Sequence, residues 1–580
     1  MKPLDLKLLY QLINYISPYK LIFSTTIFIS ICFGVLSTLR PLLIQYAFDN
    51  YIMHKDSLGL LTIMLIVLFL LFLEAFLQYQ FIYKSNYLSQ KIIQDLRLEV
   101  FSKLLKFRIN YFDKTPTGQL ITRVVSDMES IASIFSQGLL VVFGDLFKMV
   151  LIIICMFLVS WELALISLVF LPLLIFLTII FQNYMHSAFQ DIRKYVAKIN
   201  IFLFEHIIGM SIIQLFGKED EELGKFKLIN ALHRDAHIKT VLYFSIFLPI
   251  VDVFSAIVMG LVVWYGSVSM IDNNNITIGQ IVAFILFINM LFRPLRAIAD
   301  RFNVLQMGLV ASSRVFHILN QPVDEEIDEI VEKSSENLLG KILFKNVSFS
   351  YNLNETVLQN VTFDVPVNNT VAIIGPTGSG KTTIINLLMR WYRVNQGSIL
   401  IDGSNITQIS LSVLRRNIGV VLQDTFFLSD SLLNNIKFFN DISNEDVYQA
   451  VRDVGLEDFI NQFPEKYNYQ IGERGMGLSE GEKQLISFLR TYLLNPPYLI
   501  LDEATSSLDP LTEGLIQKAI QNITKNRTAI IIAHRISTIQ HADKIIVLEN
   551  GKVIEQGTHE KLLSLKGKYT DFYKKQFTQL

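Results

Sequence analysis

Residues 375–382 read GPTGSGKT, the spacing G-x-x-x-x-G-K-[ST]. That set suits chemistry on a polyphosphate. Gly375, Gly378 and Gly380 let backbone N–H groups approach phosphate oxygens, and Pro376, Thr377 and Ser379 complete the loop. Lys381 is placed to reach the β- and γ-phosphates and Thr382 to bind Mg²⁺, with Thr383 next on the helix that the loop opens. The helix N-terminus adds its dipole at the same point. A second stretch, YLILDE at 498–503, is an apolar run ending in two carboxylates. Asp502 is placed to hold Mg²⁺, directly or through water, and Glu503 to polarise an attacking water. Together these residue types suit Mg²⁺-assisted attack of water on a polyphosphate.

Such residues need a sheet to hold them. TVAII precedes the glycine loop and TTIINLLMRWY follows it, the strand and helix that this motif requires. From about 341 onwards, short β-runs (ILFKNVSFSY, VLQNVTFDV, GSILIDG) alternate with helical stretches. A helix-rich insertion occupies about 430–495, and strands return at YLILD, TAIIIAH and KIIVLENGKVIEQG. This is an α/β nucleotide-binding pattern.

The first half is different. Of the 580 residues, 51% are hydrophobic and 18% charged, too apolar for an ordinary soluble protein. Six runs near 20–43, 59–82, 136–158, 162–182, 243–266 and 276–296 each approach the roughly 20 residues that cross a bilayer. The long loops 83–135 and 183–242 carry eight Lys/Arg each, whereas 44–58 carries one and 267–275 none. Positive charge marks the cytoplasmic side, so both termini and both long loops are expected inside. The spans are expected to continue as helices into the cytoplasm, and the N-terminal segment to lie as an interfacial amphipathic helix. Arg40, Glu74, Asp145, Lys148, Asp252 and Arg293 are ionisable residues in or near the spans, hence functional candidates. Asp145 and Lys148, three residues apart, are placed to neutralise each other. An acidic stretch around 321–340 reads as a linker between a transmembrane domain (1–320) and a nucleotide-binding domain (341–580). The net charge of −1 leaves no basic footprint for nucleic acid. Two cysteines, Cys32 and Cys155, lie in apolar runs and suggest neither a disulfide framework nor a zinc site.

The second half resembles the ATPase domain of ABC transporters over about 341–575. The resemblance implies that Tyr351 stacks on adenine and that Gln423, in VVLQD, senses Mg²⁺ and contacts the membrane domain. It makes ERG (473–475) the exporter X-loop, Ser506–Asp509 the D-loop and His534, in IIAHR, the switch histidine on the γ-phosphate. The first half resembles the membrane domain of type IV ABC exporters, with coupling helices near 112–120 and 214–222. The implied fold is an all-α six-helix membrane domain followed by an α/β P-loop ATPase domain with helical and antiparallel β subdomains. The implied function is ATP-driven export of a small hydrophobic or amphipathic substrate, drug-like or lipid, from a bacterial inner membrane. A lipid flippase with a dedicated substrate, or an ATP-regulated channel, is the alternative.

In that family the signature reads LSGGQ and closes over ATP held by the opposite subunit. Here residues 478–484 read LSEGEKQ. Ser479 and Gly481 remain as nucleotide contacts, and Ser479-x-x-Glu482 forms a capping box. Glu480 replaces the first glycine, adding a side chain and a charge where backbone approaches a triphosphate. Its carboxylate either points to solvent, favoured at a helix N-terminus, or slows hydrolysis at the site it helps form. The second reading resembles heterodimeric exporters similar to the bacterial Mdl-type multidrug-resistance-like proteins. It implies a second ABC half as partner.

Overall fold

The apolar runs of the first half form helices much longer than a bilayer requires. A computed structural model of the chain describes residues 6–271, 276–322, 338, 340–352, 355–423, 425–502, 510–532 and 539–577. Two units separate: Met1–Lys106 with Pro116–Gln321, and Phe107–Thr115 with Pro322–Leu580.

Among the described residues of the first unit, five helical stretches are long and apolar enough to cross a membrane. They are Ser17–Ile52, Ser57–Lys106, Thr117–Val159, Trp161–Ile208 and Glu219–Ile271. The sixth expected span corresponds to a shorter apolar stretch, Ile278–Pro294, heading the helix Ile278–Leu319. Thr277 starts that helix with a capping box, its hydroxyl accepting from the Gln280 amide. The helices run to 50 residues (Ser57–Lys106) and 53 residues (Glu219–Ile271), more than twice a bilayer's need. Leu61, Leu65, Phe69 and Phe72 face outward from Ser57–Lys106, as lipid contact permits and water does not. Inside, Phe181 and Phe247 stack at 3.9 Å within a core that includes Phe284, Phe287 and Met156.

Two helix boundaries differ from the sequence expectation. The segment expected as one helix at 112–120 is two, Ile109–Lys114 and Thr117–Val124, because Pro116 disfavours helical backbone at Thr115 before it. The region 214–222 straddles a turn between Met210–Leu215 and Glu219–Ile271, where Gly217 takes φ +59°.

The second unit has ten strands among the described residues: β1 (Ile342–Asn352), β2 (Glu355–Val365), β3 (Thr370–Ile374), β4 (Gln396–Ile401), β5 (Ser404–Asn405), β6 (Ile418–Val421), β7 (Tyr498–Asp502), β8 (Thr528–Ile532), β9 (Lys544–Glu549) and β10 (Lys552–Gly557). An antiparallel sheet has the order β2-β1-β4-β5. A six-stranded sheet has the order β10-β9-β3-β8-β7-β6, parallel except for β10. β7 and β8 are buried along their whole length, as strands covered on both faces must be. The helical insertion comprises Leu432–Lys437, Asn444–Val454, Glu457–Asn461 and Glu480–Leu493. Within this unit the Tyr392 hydroxyl hydrogen-bonds the Asp113 carboxylate of helix Ile109–Lys114. Burial first, and that carboxylate second, push the Tyr392 phenol up from its ordinary pKa.

Candidate functional site

Parallel strands put their carboxyl ends on one edge, and a ligand in an open α/β sheet binds outside that edge. Register pairs Ile373 of β3 with Ile532 of β8, and Ile532 with Asp502 of β7. The loop after β3 and the carboxylate ending β7 are therefore brought to the same edge. Glu503 and His534 follow the ends of β7 and β8 and lie outside the described residues, as does Ser506–Asp509.

The glycine loop is shaped by close approach. A Cβ on Gly375 would stand 2.0 Å from the Leu548 carbonyl oxygen. Gly380 takes φ +101° and a Cβ there would meet Leu358 at 2.6 Å. Gly380 is also the N-cap of helix Lys381–Leu388. That helix stops short of the expected TTIINLLMRWY run. Arg390 leaves it in a left-handed conformation at φ +53°, its guanidinium donating to the Ile406 and Ile409 carbonyls at 2.9 and 2.5 Å.

Lys381 is buried and donates to the Gly375 and Pro376 carbonyls at 2.9 and 3.0 Å, curling its ammonium back over the loop. Burial lowers its pKa, and Asp502 opposes that shift. Asp502 is buried too. Burial raises its pKa, while Lys381 and a hydrogen bond from the Thr382 hydroxyl lower it. Asp502 thus interacts with both the Lys381 ammonium and the Thr382 hydroxyl. Ser379 supplies a further sign of a ligand. Its hydroxyl is fully buried in the loop with no protein partner, and a buried polar group is normally paired. An anion's oxygens in the loop would satisfy it.

Tyr351, at the end of β1, is partly exposed and packs edge-on against Tyr392 at 4.9 Å. Its hydroxyl donates to Thr383 at 3.2 Å and accepts from Asn386 at 2.8 Å, tying the aromatic to the helix after the loop. Gln423 sits exposed on a bend two residues beyond β6.

The signature lies elsewhere in the unit. Ser479 caps helix Glu480–Leu493 with the expected capping box: its hydroxyl accepts from the Glu482 amide at 3.3 Å, and the Glu482 carboxylate accepts from the Ser479 amide at 2.6 Å. Gly481 is buried in the first turn. Leu485, Ile486, Phe488 and Leu489 anchor this helix in a core shared with the helical insertion, whereas Ile384, Ile385 and Leu388 of the loop helix belong to the other core. Lys483 donates to Glu480 at 2.8 Å; Glu480 is 73% exposed and Lys483 only 18%. The carboxylate of Glu480 is thus held outward, against its own helix.

Arg490 was not legible from motif spacing. Its guanidinium lies 4.4 and 4.5 Å from the Phe427 and Phe438 ring centroids and donates to the Phe426 carbonyl at 2.7 Å and the Asn435 carbonyl at 2.5 Å. It clips the segment after Gln423 to the signature helix, at the expense of burial that lowers its pKa to about 10. The aromatic pairs at 426–427 and 438–439 were the available signal.

The fold and the site together define a P-loop ATPase unit joined to a helical membrane unit in one chain. Two family models match, the ABC transporter transmembrane region over residues 23–295 and the ABC transporter domain over 358–506. The chain is 35% identical to a probable multidrug resistance ABC transporter ATP-binding/permease protein, YheH, of Bacillus subtilis, over 87% of this chain and 75% of that protein. It is 32% identical to an ATP-dependent lipid A-core flippase of Desulfotalea psychrophila, over 98% of this chain and 99% of that protein. A solved bacterial Atm1-family ABC exporter with ATP bound superposes with a TM-score of 0.78 at 26% identity, covering 96% of this chain and 98% of that one. The chain belongs to the ABC transporter family. It is a membrane protein that binds nucleotide and couples ATP hydrolysis to export. ABC exporters work as dimers.

Proposed function

We propose that this chain exports a hydrophobic or amphipathic molecule, drug-like or lipid, using one efficient ATP site shared with an unlike ABC half. The observation that carries the ATP chemistry is the set Lys381, Thr382 and Asp502 at the carboxyl edge of the six-stranded sheet.

The phosphates lie against the backbone of Gly375–Thr383, with the Ser379 hydroxyl as a further donor. Lys381 trades its two loop carbonyls for β- and γ-phosphate oxygens. Thr382, Asp502 and Gln423 would hold a Mg²⁺ ion through their oxygens, and the ion would supply charge neutralisation at the phosphates when bound. Glu503 orients the attacking water and His534 senses the γ-phosphate. Tyr351 supports the adenine. Ser479 and Gly481 contact nucleotide held by the partner, a reading supported by the separate cores in which loop helix and signature helix are anchored. Closure of the ATPase domains turns the membrane cavity outward, and hydrolysis reopens it.

Glu480, standing where the family has glycine, supports an asymmetric pair in which the partner supplies an unaltered signature. The Lys483–Glu480 ion pair favours a second reading, a homodimer, because it draws the charge aside. The basic loops support an inner-membrane orientation with both termini and the ATPase domain (341–580) cytoplasmic, behind a transmembrane domain (1–320) and a linker (321–340). The relatives' names support the substrate class. ATP-dependent dye uptake into inverted vesicles tests the export: wild type accumulates dye, and Glu503→Gln does not. Equal uptake by that variant overturns the catalytic assignment.

A further inference from the structure

Ionisable side chains in a membrane unit are costly and face an interior or a cavity rather than lipid. In the first unit they converge. A cavity of about 490 Å³ is lined by Arg40, Glu74, Asp145, Lys148, Arg293 and Arg301, on four different helical stretches. Arg40 pairs with Glu74 at 3.5 Å, and Arg301 with Asp145 at 3.4 Å. The expected pairing of Asp145 with Lys148 does not form; Lys148 instead stands 5.3 Å over the Phe33 ring. Two carboxylates are thus taken by two arginines, and Lys148 and Arg293 have no ion pair among the described residues. The rest of the wall is mixed, with Phe33, Phe81 and Ile82 beside Gln78 and Asn86.

An excess of cations next to aromatic and aliphatic wall is the lining that an anionic amphiphile matches. The head group meets Lys148 and Arg293, and the tail meets the phenylalanines. A cationic amphiphile would face the same charges with repulsion. We infer that this cavity binds the anionic head group of an amphiphilic substrate through Lys148 and Arg293. The inference deepens the export reading and rests on it for the word substrate, whereas the binding site stands on the cavity alone.

The test uses the purified full-length transporter in detergent without ATP, so that binding is read separately from turnover. The probes are dodecyl phosphate, dodecyltrimethylammonium and inorganic phosphate. Dodecyl phosphate is expected to bind at least tenfold tighter than either of the others. Lys148→Met and Arg293→Gln should each weaken it about tenfold, and Lys148→Arg should retain it. ATP binding at the loop should be unchanged in all three, which shows the variants folded. Equal binding of the cationic probe, or of dodecyl phosphate to the two neutral variants, overturns the inference. Inorganic phosphate binding as tightly as dodecyl phosphate overturns the amphiphile and leaves a bare anion site. Loss of ATP-driven export with these binding results intact would sink the export reading alone.

Discussion

Lys483 donates to Glu480 across 2.8 Å on the first turn of the signature helix, the lysine mostly buried and the glutamate mostly exposed. A single substitution at the family's glycine position therefore comes with its own counter-charge. The pair adds only ~0.3–0.5 kcal/mol to the free chain, being an exposed i,i+3 contact. It matters when a triphosphate approaches: two like charges about 4 Å apart cost on the order of 1 kcal/mol in water and several in a partly dry interface. Glu480→Gly should therefore raise nucleotide affinity at the site built with this signature by about fivefold or more. Lys483→Ala should lower it by a similar factor while leaving Glu480 in place. Nucleotide occlusion counted per site is the readout. No change in either variant would mean that the carboxylate stays clear of the phosphate.

Ser379 offers a cleaner test of the glycine loop. Its hydroxyl is buried and unpartnered in the free chain, so Ser379→Ala should leave thermal stability within ~1 kcal/mol of wild type or raise it. ATP affinity should fall severalfold, because a donor to the phosphate is gone. Calorimetric unfolding beside equilibrium ATP binding separates the two effects; unchanged affinity would place the hydroxyl outside the phosphate site.

Lys381→Ala should reduce ATP hydrolysis at least a hundredfold, since it removes the ammonium held over the glycine loop. Glu503→Gln should hold ATP bound while nearly stopping turnover. The two variants differ in retention: only the second should keep ATP after rapid gel filtration. Equal retention by both would contradict the division of binding and water activation between them.

Arg490→Met should destabilise the ATPase unit by about 2–3 kcal/mol, through lost hydrogen bonds to Phe426 and Asn435 and their stranded carbonyls. The apolar chain of Met keeps contact with Phe427 and Phe438, so Arg490→Ala should cost more. Thermal unfolding followed in the full chain measures both; a shift within ~0.5 kcal/mol would show that the clip does not hold the insertion.

The elements that carry the candidate ATP-site motifs were legible because those motifs are local. GPTGSGKT lies between a strand and a helix, YLILD is a strand, and Ser479 with Glu482 forms the capping box that their spacing implies. Pairings between helices were not legible. Three-residue spacing suggested Asp145 with Lys148, but the partner of Asp145 is Arg301, far along the chain on another helix. The loop helix ends early because Arg390 finds carbonyl acceptors at Ile406 and Ile409, which helix propensity does not register. The outward hold on Glu480 depends on a lysine rotamer, and sequence could only leave its direction open.

Native mass spectrometry of the complex extracted from its own cells tests the asymmetric account most directly. The predicted result is a one-to-one assembly with a second ABC half whose signature reads LSGGQ. A homodimer would place LSEGE in both sites and contradict it, because hydrolysis would then have to proceed beside Glu480.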